Sequence, residues 1–338
     1  VVAIGGGSGL SALLKGLKQY APQRGGAMLY PPVDITAVVT VTDDGGSSGR
    51  LRRDLDILPP GDIRNCMVAL SEDESLMARL FAYRFSAGRG LKGHSFGNLF
   101  LAGLTQITGD FAKAVQLSSE VLAIAGHIYP ATQSNVTLRA HLAGGRVVDG
   151  ETRISRSDAP IESIELCPAK VRPLRATLDA IGRADLITLG PGSLFTSVVP
   201  NLLVSGIAAA IRRSPALKVS FVNLMWQPGE TTGMDAADHI SALTRHARGR
   251  IVDCAVVNTT PIEVHRLVRY ARQRAMQVAN NLDEVRAMGV DVVALPLLAA
   301  GTKVRHDPER IARATVELAK KGRRRILEKL AKEEKAQK

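Results

Sequence analysis

The sequence is short of aromatic residues, at 4%, and has a single tryptophan, which leaves too few rings for a base-stacking nucleic-acid platform. Cysteine is scarce as well. Cys66, Cys167 and Cys254 lie far apart with no CxxC pair, which excludes a zinc knuckle or a disulfide framework and points to a reducing, cytoplasmic setting. No signal-peptide pattern is visible, although the sequence does not begin with Met and a removed leader stays open, and no long apolar run is left unbroken. The uncharged stretch Leu186 to Ile211 is interrupted by Gly190-Pro191-Gly192 and by Pro200-Asn201, so it reads as a buried strand, a loop and a buried helix rather than as a membrane span.

What is present is a globular composition, 45% apolar over 338 residues. The net charge of +12 invites a nucleic-acid reading, but it is concentrated at one end. Lys303 to Lys338 holds thirteen Lys/Arg against six Asp/Glu, and the rest of the chain is only mildly basic. Nucleic acid is therefore not the expected partner. The terminal AKKGRRRILEKLAKEEKAQK reads as a solvated helix end.

Strand and helix patterns alternate around an irregular middle. Val1–Ile4, Ile35–Thr42, Asp185–Leu189, Lys218–Asn223, Asp253–Val257 and Val290–Leu295 are expected strands. Helices are expected at Leu10–Tyr20, Ile63–Leu70, Glu74–Phe85, Phe96–Gln106, Phe111–Ile124, Leu194–Ile211, Asp235–Ala247, Ile262–Gln273 and Pro308–Leu330, with a surface loop over Tyr20–Pro32. Residues near Ile128 to Leu166 alternate and are expected to be antiparallel, with Gly144-Gly145 turning a hairpin. The expected fold is α/β: a doubly wound, mostly parallel sheet with an inserted helical region over about 51–125 and a small antiparallel section. Residues 1–310 form one domain in this reading, and 311–338 a basic C-terminal helix or tail.

Gly5-Gly6-Gly7-Ser8-Gly9 stands between the first strand and the first helix. A helix start offers unpaired N–H groups and partial positive charge, and glycine lets an anion approach the backbone. A tight turn without a ligand is the plain alternative. The dinucleotide pattern G-x-G-x-x-G is incomplete, because Leu10 stands where its third glycine belongs, and no P-loop signature is present. A second loop of this kind, Gly190-Pro191-Gly192-Ser193, follows a later strand. Asn223 ends the next strand, and Trp226 follows as a candidate pocket wall. Asp43 and Asp44, in VTDDGGSSGRLRRD, would sit beside the first loop. There they could accept from ribose hydroxyls or hold a metal near a diphosphate, or simply form an Asx turn. Asp62, in PPGDIRN, is an expected helix cap, and His94 is a candidate proton carrier or phosphate donor.

Taken together, GGGSGLSALLKGL, TVTDDGGSSGRLR, PPGDIRN, HSFGNLFLAGL and GPGSLFTSVVPNLLV resemble the YvcK-like gluconeogenesis factors. These belong to the CofD-like superfamily, together with the 2-phospho-L-lactate transferases of deazaflavin coenzyme synthesis. The resemblance runs in order from Val1 to about Asp307. It implies a Rossmann-like core and a cytoplasmic factor for growth on gluconeogenic carbon sources and for normal cell shape. UDP-sugars such as UDP-N-acetylglucosamine are its implied ligands, and no catalytic activity is established for that branch. The transferase branch moves a phospholactyl group from a guanosine diphospho-carrier to an alcohol with Mg²⁺. By position, Gly5, Gly6, Gly7, Ser8 and Gly9 form the phosphate loop and Gly190, Gly192 and Ser193 the second. Asp43 and Asp44 match the acidic pair facing the acceptor or metal, and Tyr270 and Arg305 match UDP-sugar contacts. Tyrosine packs on a base or bonds a ribose, and arginine grips a diphosphate with two parallel hydrogen bonds. No function is transferred to the basic extension.

Three readings follow. A sugar-nucleotide-binding regulator linking carbon flux to envelope synthesis would have regulators of that synthesis as partners. A transferase would use Asp43 or Asp44 on Mg²⁺ or on the acceptor hydroxyl. A dinucleotide oxidoreductase would bind NAD. Apolar helix flanks leave a homodimer open.

Overall fold

The computed structural model describes residues 1–22, 32–71 and 76–336. The strands in chain order are β1 (Val2–Gly5), β2 (Thr36–Val39), β3 (His127–Pro130), β4 (Thr137–Leu142), β5 (Val147–Asp149), β6 (Ile161–Cys167), β7 (Leu186–Leu189), β8 (Leu217–Phe221), β9 (Cys254–Asn258) and β10 (Asp291–Leu295). Seven of them form one sheet in the order β10-β9-β8-β7-β1-β2-β3, with every neighbouring pair parallel. Such strands are covered on both faces, which is why β1, β2, β7 and β9 are continuous apolar or small runs buried at every residue. β4, β5 and β6 make a separate antiparallel sheet in the order β5-β4-β6, with Gly144-Gly145 in the expected hairpin turn.

The helices are α1 (Gly7–Leu17), α2 (Gly46–Leu55), α3 (Gly61–Leu70), α4 (Leu76–Ala82), α5 (Phe96–Thr108), α6 (Phe111–Val121), α7 (Glu151–Ile154), α8 (Arg175–Arg183), α9 (Val199–Leu203), α10 (Ile207–Arg213), α11 (Ala236–His246), α12 (Val264–Ala271), α13 (Leu282–Ala287) and α14 (Pro308–Ala336). The run α2–α6 between β2 and β3 is the inserted helical region. Local chemistry sets several of the starts. Ser95 Oγ accepts from Asn98 N–H at 3.3 Å ahead of α5, and Asp235 and Asp238 form a reciprocal capping box at α11.

Several expectations change. Ile128 does not open an antiparallel section: β3 joins the edge of the parallel sheet beside β2. The single helix expected over Leu194–Ile211 is three pieces, a π-helical turn at Leu194–Val198, then α9, then α10, with an 82° bend before α10. Only the bent pair taken together has the length and composition of a span, and Leu194 to Leu202 are buried in the core. No single helix among the described residues is long and apolar enough to cross a membrane. Most of the loop expected at Tyr20–Pro32, and the start of the helix expected at Glu74, lie outside the described residues.

The charged end is better rooted than its composition suggests. α14 buries Ile311, Ala312, Thr315, Val316 and Leu318 and packs along α1, while its residues from Arg323 onward are largely exposed. Gly16 of α1 meets the Pro308 carbonyl so closely that no side chain fits between the two helices. The helix runs unbroken across residue 310.

Candidate functional site

β1 and β7 are neighbours in the sheet, and the chain winds away from them in opposite directions. That makes their carboxyl ends the topological switch point, where open α/β sheets place ligands. The first glycine loop leaves β1 there and the second leaves β7. A cleft of about 260 Å³ opens between them, lined by Gly6, Gly7, Ser8 and Gly9 on one side and by Pro191, Gly192 and Ser193 on the other. Its outer wall comes from Asn223 to Gln227 after β8, Tyr270 of α12, and Val304 to His306 after β10. Ser8, Ser193, Asn223, Tyr270 and Arg305, scattered over most of the sequence, thus face one space. Gly5 and Gly190 lie beneath it in the sheet, where Gly190 N–H donates to the Ile4 carbonyl at 2.9 Å.

The glycines of the first loop have different causes. A Cβ on Gly9 would lie 2.5 Å from the Pro191 carbonyl oxygen, so the two loops touch backbone to backbone. A Cβ on Gly6 would lie 2.5 Å from Asp62 Oδ2. Gly7 has φ +61°, with Ser197 Oγ at an ordinary contact distance of 3.7 Å from a Cβ there, and is needed for the turn itself. Two of these glycines therefore serve internal packing. The amides of Ser8 and Gly9 fall in the first turn of α1, where the helix supplies no acceptor, and both residues line the cleft.

The second loop has different electrostatics. Glu230, only 6% exposed, accepts from Thr196 N–H at 3.2 Å and from Thr196 Oγ1 at 3.0 Å, with Phe195 N–H and Ser155 Oγ also directed at it. Burial raises its carboxyl above the usual range, and these donors pull it back. A carboxyl of the protein's own already occupies this helix start. What the loop still offers the cleft is the Ser193 hydroxyl, which accepts from Gln227 Nε2 at 2.7 Å. Gln227 Oε1 in turn accepts from Asn223 Nδ2 at 3.1 Å.

The aromatic wall is pinned from behind. Trp226 Nε1 donates to the Met234 carbonyl at 2.9 Å, and the Tyr270 hydroxyl accepts from Val304 N–H at 3.0 Å. Arg269 lies over the Tyr270 ring, 5.5 Å from its centre. Tyr270 therefore holds the segment that carries Arg305, whose exposed guanidinium has no partner among the described residues. His306 is held neutral: burial pushes its ring down to about 4 against a backbone hydrogen bond to Val222.

The acidic residues gather behind the first loop. Asp44 Oδ1 accepts from both Thr152 N–H (2.9 Å) and Thr152 Oγ1 (2.6 Å), and Asp43 Oδ1 accepts from Gly45 N–H at 2.9 Å in an Asx turn. No group of three or more His, Cys, Asp or Glu among the described residues is arranged to hold a metal ion. Each acid of the pair thus spends one oxygen on neighbouring donors, Asp43 on Gly45 and Asp44 on Thr152. Asp62 does not cap α3. Its carboxyl turns to the Gly7 amide, and burial first, then the charge of Asp43, pushes its pKa up to about 6. Glu151 is pushed up to about 9 by burial and by the surrounding acids, and carries its proton at neutral pH. His94 is outside the cleft. It is buried with Nδ1 2.9 Å from Ser47 Oγ, which also accepts from Asn98 Nδ2 at 3.1 Å. This ties the DDGGSSG segment to α5.

The sequence profile of 2-phospho-L-lactate transferase CofD matches residues 1–298. The chain belongs to the CofD family. A gluconeogenesis factor of Halalkalibacterium halodurans is 46% identical over 318 residues, covering 94% of this chain and 95% of that protein. A gluconeogenesis factor of Bacillus subtilis is 45% identical over 321 residues, covering 95% and 98%. The crystal structure of a UPF0052-family protein from Bacillus halodurans superposes with a TM-score of 0.87 at 45% identity, over 93% of this chain and 98% of that one.

Sequence reasoning missed Glu230 and Gln227. Both lie in the WQPGET stretch after Asn223, but nothing local shows that they reach back more than thirty residues to the second loop.

Proposed function

We propose that this chain is a cytoplasmic sugar-nucleotide-binding factor that serves growth on gluconeogenic carbon sources, as the name of its gluconeogenesis-factor relatives suggests, and normal cell shape. One observation carries the reading: free amides at the start of α1 share a cleft with the Ser193 hydroxyl, the Tyr270 ring and the unpaired Arg305 guanidinium. A diphosphate seats on Ser8 and Gly9, Arg305 closes over it, and the base and sugar lie along the Trp226 and Tyr270 wall. UDP-N-acetylglucosamine is the ligand of choice. The test is thermal unfolding across UDP-N-acetylglucosamine, GDP and NAD. A ligand at 100 times its Kd adds about 2.7 kcal/mol, a shift of several degrees in Tm. Stabilisation by UDP-sugars above the others supports the reading, and no shift at millimolar UDP-sugar defeats it. A preference for NAD moves the assignment to dinucleotide binding.

A second reading, transfer of a phospholactyl-like group from a nucleoside-diphosphate carrier to an alcohol, is favoured by the acids behind the loop. Asp62 lies against the Gly7 amide with Asp43 beside it, close to where a reacting phosphate would rest. Incubation with GDP-activated phospholactate and a deazaflavin alcohol tests it by product formation, and turnover unchanged in Asp62→Asn would remove that acid from the chemistry.

A further inference from the structure

We propose that Gln227 is a positioning residue that aims the Ser193 hydroxyl as a hydrogen-bond donor at the ligand's diphosphate. The assignment rests on reading the cleft as a diphosphate seat. Three observations carry it. First, Glu230 takes the Thr196 and Phe195 amides at the helix start of the second loop, so those two donors are already spent. The Ser193 hydroxyl of that loop lines the cleft and is not among the groups Glu230 occupies.

Second, the hydrogen bonds of the wall run one way. Asn223 Nδ2 donates to Gln227 Oε1 and Gln227 Nε2 donates to Ser193 Oγ. A serine hydroxyl has one proton, so an oxygen that accepts from Gln227 is left to give that proton elsewhere, and the cleft is what Ser193 faces. A relay ending in a donor favours phosphate oxygens, which only accept, over sugar hydroxyls, which can do either. Third, Gln227 is itself held still. Its N–H donates to Thr231 Oγ1 at 2.9 Å, and its neighbour Trp226 is fixed through N–H to the Met276 carbonyl at 2.7 Å. The amide arrives oriented, at little entropic cost on binding.

The experiment titrates UDP-N-acetylglucosamine and uridine into wild-type protein and variants, followed by the fluorescence of the single tryptophan, Trp226, in the cleft wall. Gln227→Ala should raise the Kd for UDP-N-acetylglucosamine about tenfold and leave that for uridine, which has no phosphate, within about twofold. Ser193→Ala should do the same, and Ser193→Thr, which keeps a hydroxyl, should recover most of the loss. The double variant should bind no worse than Ser193→Ala alone, since Gln227 acts only through Ser193. Gln227→Glu should lose more than Gln227→Ala, because a carboxylate accepts from Ser193 and sets a negative charge beside the phosphates. If Gln227→Ala does not fold, Gln227→Met, of similar length without polar atoms, takes its place. Additive losses in the double variant, or equal losses for uridine, overturn the assignment while the diphosphate seat stands. Wild-type protein that binds uridine and UDP-N-acetylglucosamine equally, or neither, overturns the seat and the assignment together.

Discussion

Gly5–Gly9 and Gly190–Ser193 each follow a buried strand and lead into a helical turn, on adjacent strands of one sheet. In the first, the helix amides of Ser8 and Gly9 have no acceptor among the described residues, and both residues line the cleft. In the second, a carboxylate from 34 residues further along the chain has settled on the amide of Thr196. Both are helix starts with room for negative charge, and they differ in whose charge it is. A glycine-rich turn after a strand marks an electropositive place, and the rest of the fold decides whether that place is kept open or closed from within.

The comparison is broken most violently at the contact between the loops. Gly9→Val drives a side chain into the Pro191 carbonyl and should cost more than about 3 kcal/mol in urea unfolding, whereas Ser8→Ala in the same turn should stay within about 0.5 kcal/mol. Next in size is the carboxyl behind the first loop. Asp62 is ordinarily an acid of pKa 3.8 and is pushed up to about 6 here, so its ionisation penalises the native state fully above pH 6, progressively less as pH falls, and not at all below about 4. Asp62→Asn should therefore stabilise the protein at pH 7 by up to about 3 kcal/mol and have no such benefit at pH 4, as denaturant midpoints at the two values will show.

A finer probe acts on the second loop alone. Glu230→Ala strips the Phe195 and Thr196 amides of their acceptor, which should cost about 2 kcal/mol. It should also make stability more responsive to inorganic phosphate than that of wild-type protein, which would feel phosphate only through the first loop. A calorimetric scan with and without phosphate separates the two. The smallest effect on the fold belongs to Arg305→Ala. The side chain is exposed, so stability should move by less than about 0.5 kcal/mol while UDP-sugar affinity falls roughly 10- to 100-fold, readable by titration.

Much of this architecture is legible in the residues. The strands at Val2–Gly5, Leu186–Leu189 and Cys254–Asn258 are apolar runs bounded by glycine or asparagine, and strand alternating with helix dictates a parallel sheet. That the two loops meet follows from the winding rule once β1 and β7 are placed side by side. What is not legible depends on long reach. Asp62 looks like a cap because it opens α3, but its carboxyl finds the Gly7 amide on another helix. Glu230 looks like a turn residue because its partners are 34 and 75 positions away. The uncharged stretch after Ser193 looks like one helix because periodicity carries no record of the π-helical turn that lets Glu230 reach its start. Alternation is equally mute at β3: four residues, His127–Pro130, are too few to distinguish a parallel edge from an antiparallel one.

The close crossing of α1 and α14 at Gly16 and Pro308 carries a temporal implication. The helix that presents Ser8 and Gly9 and the surface that covers it, Ile311 to Leu318, lie some three hundred residues apart in the chain. Until the two meet, α1 lacks the cover that α14 gives it around Gly16 in the finished molecule. Contacts spanning such a separation close slowly. The turn that offers Ser8 and Gly9 is thus braced only when both ends of this span have met, so the cleft beside it should take its final form late in folding.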